Sequence, residues 1–354
     1  PRSRIAVLTC EPVGVLDYLA PEDGVRQGAL VLVPLGPRRV LGLVWGEGRG
    51  DFDLAKLRPV ARILDAEPFR PGFLDFLSRA ADYTLTPPRL MLRMATRAPD
   101  LDQPPAARRL IVPAGDPPAR MTEARSRVMD VIARHGGAGF APSELAQLAG
   151  VGTSVVKGLV AQGTLAEIQA PRDTPYPRLD PGRPGKPLAP DQQAAADTLR
   201  AAIRKGGYGT TLLRGVTGSG KTEVYLEAVA DCLRRGRQAL VLLPEIALTQ
   251  EFLTRVEARF GAKPAEWHSG ITQTERRRCW KMVGEGGAQM VVGARSALFL
   301  PFRDLGLIVV DEEHDTSYKQ GDGVLDRVAL QEPRGVAVDQ GARGHHFRVQ
   351  PGSG

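Results

Sequence analysis

The chain has 354 residues, a net charge of +7, and 42% hydrophobic against 25% charged residues, an ordinary globular balance for about two or three domains. Its apolar runs, such as 29–33 and 305–310, fall far short of the ~20 residues that a membrane-spanning helix needs, and Cys10, Cys232 and Cys279 stand too far apart for a disulfide scaffold or a paired-cysteine metal site. No membrane partner and no secretory signal are expected, which makes the cytoplasm the default location; the basic charge, mostly arginine, permits a nucleic-acid partner without requiring one.

Short β-rich runs at 5–9, 29–33, 40–45 and 60–64, separated by breakers such as Pro34 and Gly46, predict a small β-rich domain over 1–98. Phe73, Leu74, Phe76, Leu77, Ala80 and Ala81 recur at helical spacing and predict one helix that ends before Pro87-Pro88. Residues 99–120, rich in Pro and Arg, read as a linker. Over 121–170 the order is helix 123–134, short helix 143–150, helix 153–162 and a β wing at 165–168, which is a winged-helix pattern. Such a domain either enters a major groove or serves as a spacer or docking surface; Lys157 is the sole cation on the helix that would enter, which favours the second use.

The proline density of 171–190 forbids helix and predicts an extended tether. From 191 to 323 the pattern alternates: helix to 204, strand 210–214, helix 222–234, strand 239–243, helices 249–260 and 274–282, strands 289–292 and 307–310. Alternation of this kind predicts a mainly parallel sheet with helices on both faces, so the chain as a whole reads as a multidomain α/β protein.

Gly215-Val-Thr217-Gly218-Ser219-Gly220-Lys221-Thr222 fits the phosphate-binding loop in full, between a buried strand and a helix start. The glycines let backbone N–H groups turn inward around phosphate oxygens, and the helix adds its positive dipole end. Lys221 is placed to reach the β- and γ-phosphates of ATP and Thr222 to hold Mg²⁺. Further on, the strand 307–310 ends in Asp311-Glu312-Glu313-His314, and parallel sheets bind ligands at that end. Asp311 suits the Mg²⁺ shell, and Glu312 suits the orientation or deprotonation of water.

Asp-Glu-x-His at a strand end resembles the superfamily 2 translocases. Residues 191–320 more specifically resemble the primosomal protein N′ family of bacterial replication-restart helicases. The resemblance rests on Gly215–Leu226, Leu243-Pro-Glu-Ile-Ala-Leu-Thr249, His268-Ser-Gly270, Gly293-Ala-Arg-Ser-Ala-Leu-Phe299 and the run from Asp311 to Gln320. Upstream, Leu16-Asp-Tyr18, Val33-Pro-Leu-Gly36, the segment 63–68 and Ala80-Ala-Asp-Tyr83 are similar to that family's 3′-end-binding domain. The resemblance implies a RecA-like first motor lobe and a 3′-to-5′ ATP-driven DNA helicase of primosome assembly. Forked and single-stranded DNA, single-strand-binding protein and other primosome proteins would be its partners. It further implies a 3′-end pocket of Asp17, Tyr18, Gly36 and Arg58. Thr249, Arg295 and Ser296 would contact DNA, Gln192 would contact adenine or be a surface helix-start residue, and His314 would couple the sites. Arg276-Arg277-Arg278 would touch DNA or form a solvated face.

After Gly323 the sequence departs from the family: its coupling motif, second lobe and zinc-binding cysteine module do not follow, and 324–354 reads as a disordered or out-of-frame tail. Zinc is expected for the full-length family, but this chain has no ligand cluster for it. The missing initiator Met hints at an incomplete start. The expectation is therefore nucleotide and fork binding with little or no unwinding; the alternative is a non-catalytic module that binds forks and 3′ ends.

Overall fold

The computed structural model describes residues 3–50, 53–103, 107–118, 120–135, 137, 139–215 and 218–311, together with the backbone of 334–339 and 348–351. The chain forms two compact units, one of Pro1–Asp102 with Pro175–Gly354 and the other of Gln103–Thr174.

Strands β1 (Arg4–Thr9), β2 (Val15–Leu19), β3 (Leu30–Leu35), β4 (Arg38–Glu47) and β5 (Arg62–Ile63) make an antiparallel sheet in the order β2-β1-β4-β3-β5. Alternation divides its side chains between two cores. Ile5, Val7, Tyr18, Val31, Val33 and Val44 pack on one face, whereas Leu8, Leu30 and Leu43 pack on the other beneath two helices. Helix α1 (Pro71–Tyr83) buries Leu74, Leu77, Ala80 and Ala81. Helix α2 (Pro88–Ala95) begins where the sequence predicts a stop. Proline in a first helical turn lacks only an amide that has no intrahelical partner there, so Pro87-Pro88 starts a helix as readily as it ends one.

The second unit contains β6 (Ala107–Pro113), α3 (Glu123–Arg134), α4 (Pro142–Leu148), α5 (Thr153–Ala161) and β7 (Leu165–Pro171). Strands β6 and β7 pair antiparallel from Ala107↔Pro171 to Pro113↔Leu165. The expected linker 99–120 thus includes a strand, and the expected four-residue wing extends to seven residues because it has this partner. Ile111, Val128, Val131, Ile132, Leu145, Val156, Leu159 and Leu165 form the core of this unit.

The remainder comprises α6 (Pro190–Lys205), β8 (Thr210–Arg214), α7 (Lys221–Arg234), β9 (Gln238–Leu242), α8 (Gln250–Phe260), β10 (Ala265–Trp267), α9 (Gln273–Glu285), β11 (Met290–Gly293), β12 (Leu305–Val310), β13 (Arg334–Asp339) and β14 (Arg348–Pro351). The sheet order is β10-β11-β9-β12-β13-β8-β14, parallel except for β14 against β8. The expectation of a disordered tail is corrected where backbone is described: 334–339 runs as a strand between β12 and β8, and 348–351 pairs on the outer side of β8. The rest of 324–354 lies outside the described residues. Gly-Val-Ala-Val within 335–338 is short, with β-branched residues at alternate positions, which suits a strand between two parallel neighbours.

Along β9, Ala239 and Val241 face the core shared with α6 and α7, while Leu240 and Leu242 face the opposite core. That second core is continuous with the one under α1 and α2. Trp280 and Phe299 meet Phe69 and Phe76 at ring centroid separations of 6.2 and 5.5 Å. Trp280 Nε1 donates to Ala95 O at 2.7 Å, and Arg277 pairs with Asp100 at 3.4 Å. The N-terminal sheet and the parallel sheet are therefore packed through one apolar interior.

The proline-rich stretch before α6 is irregular, as expected, but it is fastened to the parallel-sheet region along its length. Tyr176 OH donates to Glu275, Leu179 N to Gln289 Oε1 at 2.8 Å, and Asp180 N to Phe260 O at 2.8 Å. Lys186 Nζ then donates to Glu223 Oε1 at 3.2 Å. Among the described residues no helix is long and apolar enough to cross a membrane.

Candidate functional site

Strand β8 ends one residue before buried Gly215, and α7 begins at Lys221, so the connecting loop presents backbone amides and a helix N-terminus to one point. Gly218 and Gly220 have φ of 78° and 84°, where any Cβ would be strained. A Cβ on Gly220 would also lie 2.6 Å from Gln192 Nε2. Val216 and Thr217 lie outside the described residues.

Lys221 is buried, and its Nζ donates to Gly215 O at 2.7 Å, folding the ammonium back over the loop. Ser219 Oγ is shielded from solvent and has no hydrogen-bond partner among the described residues. A shielded hydroxyl in that state costs about 1–3 kcal/mol, and a phosphate oxygen is the acceptor that suits it. Gln192, at the start of α6, accepts from Ala189 N at 2.8 Å and donates to Ser219 O at 2.7 Å. Its amide therefore joins the helix start to the phosphate loop, and each polar atom keeps capacity for one further bond.

Asp311 follows β12, with its amide donating to Leu242 O at 2.9 Å. Its Oδ2 accepts from Tyr225 OH at 2.9 Å. Tyr225 is wholly buried on α7, one turn beyond Lys221 and Thr222. Burial first, then the negative charge of Asp311, holds the phenol far above its ordinary pKa, so it stays protonated and donates. The structure thus ties Asp311 to the helix that begins at Lys221 and Thr222, through a residue that sequence reasoning passed over. Tyr225 stood inside the quoted motif, but only the arrival of β12 gives it a role. Glu312 and His314 lie outside the described residues.

The expected DNA contacts sit at the same strand ends. Thr249 caps α8, with Oγ1 accepting from Phe252 N at 3.2 Å. Arg295 is exposed and, with Ser296, opens a short 3-10 turn after β11. Neighbouring loops are bonded together: Ser269 Oγ donates to Glu245 Oε2 at 3.0 Å, and Ala294 N to Trp267 O at 3.0 Å. Glu245 and Ser269 had no assigned role in the sequence, since a bond between loops separated in the chain leaves no local signal. The run Arg276-Arg277-Arg278 is not a solvated face. Arg276 stacks over Trp267, Arg277 is buried against Asp100, and Arg278 stacks over Tyr176.

In the N-terminal sheet, Tyr18, Gly36 and Arg58 lie together: Tyr18 OH donates to Pro34 O at 3.0 Å and Arg58 Nη1 to Gly36 O at 3.0 Å. Gly36 has φ of 59° in the tight β3–β4 turn. Tyr18 is 4% exposed, which leaves its ring no open face for stacking a base. Asp17 projects to the other face of β2, where its two oxygens accept from Arg49 N and Gly50 N at 3.0 Å each. Asp17 thereby anchors the loop at 49–50.

Two family models match the chain: a DEAD/DEAH box helicase over residues 189–334 and a 3′ DNA-binding domain of PriA over residues 6–97. Replication restart protein PriA of Chlamydia pneumoniae is 30% identical over 351 residues, 94% of this chain and 45% of that protein. PriA of Synechocystis is 34% identical over 288 residues, covering 80% of this chain and 32% of its own length. PriA of Rickettsia conorii reaches 52% identity over 138 residues, 39% of this chain and 20% of its own. The chain spans less than half the length of these relatives. Among solved structures, the DUF1998 helicase MrfA bound to DNA overlaps 47% of this chain and 26% of its own, at 16% identity and a TM-score of 0.31, a likeness too slight to build on.

Proposed function

The chain belongs to the replication restart PriA family, and on that premise we propose that it binds Mg·ATP at the loop 215–222 and forked DNA carrying a 3′ end. Within the whole protein these sites would serve 3′-to-5′ unwinding, with single-strand-binding protein and primosome proteins as partners. The observation that carries this reading is the convergence of Lys221, Thr222 and the shielded Ser219 hydroxyl at the start of α7, which Asp311 joins from the end of β12.

Lys221 would neutralise the β- and γ-phosphate oxygens, Ser219 and the loop amides would fix their position, and Gln192 would add an adenine contact with its remaining bonding capacity. Thr222 and Asp311 supply one neutral and one anionic oxygen, a fitting donor pair for Mg²⁺. When bound, that ion would draw charge from the phosphate oxygens as a Lewis acid. Glu312 would orient the attacking water, and His314 would report its state to the DNA side. Thr249, Arg295 and Ser296 stand on adjacent strand ends, where hydroxyls and guanidinium suit phosphates of one DNA strand. The Gln103–Thr174 unit would act as a winged helix, in keeping with three helices packed beside a two-stranded ribbon.

Nucleotide binding and fluorescence anisotropy on forks test the reading together. Lys221→Ala should lose Mg·ATP and keep the fork, whereas Arg58→Ala should keep Mg·ATP and lose the preference for a fork with its 3′ end at the branch. A wild-type chain that binds neither ligand contradicts it.

A further inference from the structure

Helix α7 carries a phenol where an apolar residue would fill the space with less penalty. Tyr225 is fully buried, and a buried hydroxyl is kept only if it is bonded. It is bonded to Asp311, which follows strand β12. The direction of this bond is fixed by the chemistry of the groups. An ionised carboxylate only accepts, so Tyr225 gives its proton to Asp311 Oδ2.

We propose that Tyr225 is a positioning residue for magnesium at the nucleotide site, acting through Asp311. A carboxylate that binds through one oxygen is best held by the other, and Tyr225 holds Asp311 there at 2.9 Å. A side chain on α7 thereby aims a ligand that follows β12, and a phenylalanine would not. The proposal rests on the Mg·ATP reading above and adds a residue to which that reading gives no role.

The test measures ADP affinity by calorimetry, in chelator and across a Mg²⁺ titration, for wild type, Tyr225→Phe and Lys221→Ala. Losing such support typically costs about 10–100-fold in metal affinity. Tyr225→Phe should therefore need at least about tenfold more Mg²⁺ for half of the metal-dependent gain, while its metal-free ADP affinity stays within about twofold of wild type. In an Asp311→Asn background, Tyr225→Phe should have much less further effect. Should Tyr225→Phe not fold, 3,5-difluorotyrosine at 225 keeps ring and hydroxyl but donates more strongly, draws charge from Asp311, and should weaken Mg²⁺ a few-fold. An unchanged Mg²⁺ requirement in the folded variant overturns the role of Tyr225 while leaving nucleotide binding intact. Wild type that binds no ADP, with or without Mg²⁺, instead overturns the nucleotide reading.

Discussion

The phosphate loop and the edge strand β2 both carry family motifs, yet their side chains are used in opposite ways. Around Lys221 the polar groups retain capacity: Ser219 has a shielded hydroxyl, and Gln192 can form one more bond at each polar atom. On β2, Tyr18 is bonded to Pro34 O within a core, and Asp17 ties down the backbone at Arg49 and Gly50. Members of the two motifs thus differ in use: some keep bonding capacity, and others spend it on the fold.

The largest expected effect concerns the interior that joins these two regions. Trp280→Ala removes a buried ring and the bond to Ala95 O, and should cost about 3–5 kcal/mol. Urea unfolding should show one transition for the N-terminal sheet and the parallel sheet together; two separate transitions in wild type would break the picture of a shared core.

A smaller effect separates support from contact on β2. Asp17→Ala leaves two backbone amides without their acceptor and should lower stability by about 1–3 kcal/mol, read from the denaturation midpoint. If Asp17 serves only a ligand, stability will not change and binding of 3′ ends alone will suffer.

The smallest effect lies on α7 two residues beyond Tyr225. Burial alone would raise the Glu227 carboxyl, but the Arg259 and Arg200 guanidiniums outweigh burial and hold it below its ordinary value. A lowered folded pKa gives stability that is present above the ordinary value of 4.5 and lost as pH falls through the folded one. The stability gap between wild type and Glu227→Gln should be flat from about pH 8 to 6 and shrink below about pH 4.5. A gap that changes between pH 8 and 6 would assign the linkage to another group.

Much of the parallel-sheet region was legible in the sequence because its signals are local. Strand β8 lies where apolar periodicity places it, and α7 begins one residue before its predicted start. Strand β2 was hidden because Asp17 interrupts its apolar pattern, and the bonds that accommodate Asp17 come from residues more than thirty positions away. Strand β10 has only three residues, too few for periodicity to register. Tyr225 was hidden for a related reason: its partner Asp311 is brought to it by the sheet and not by spacing along the chain. The apolar interior shared by α1, α2 and α9 likewise depends on Phe69 and Trp280 meeting across distant segments.

The central claim is that Lys221, Thr222 and Asp311 form a Mg·ATP site. Isothermal titration of Mg·ATP into wild type and Lys221→Ala measures it directly. Saturable heat in wild type, weakened about 100-fold or more in the variant through loss of a charge-assisted contact of about 3 kcal/mol, is the predicted result. No binding in well-folded wild type, or equal binding in both proteins, would contradict it.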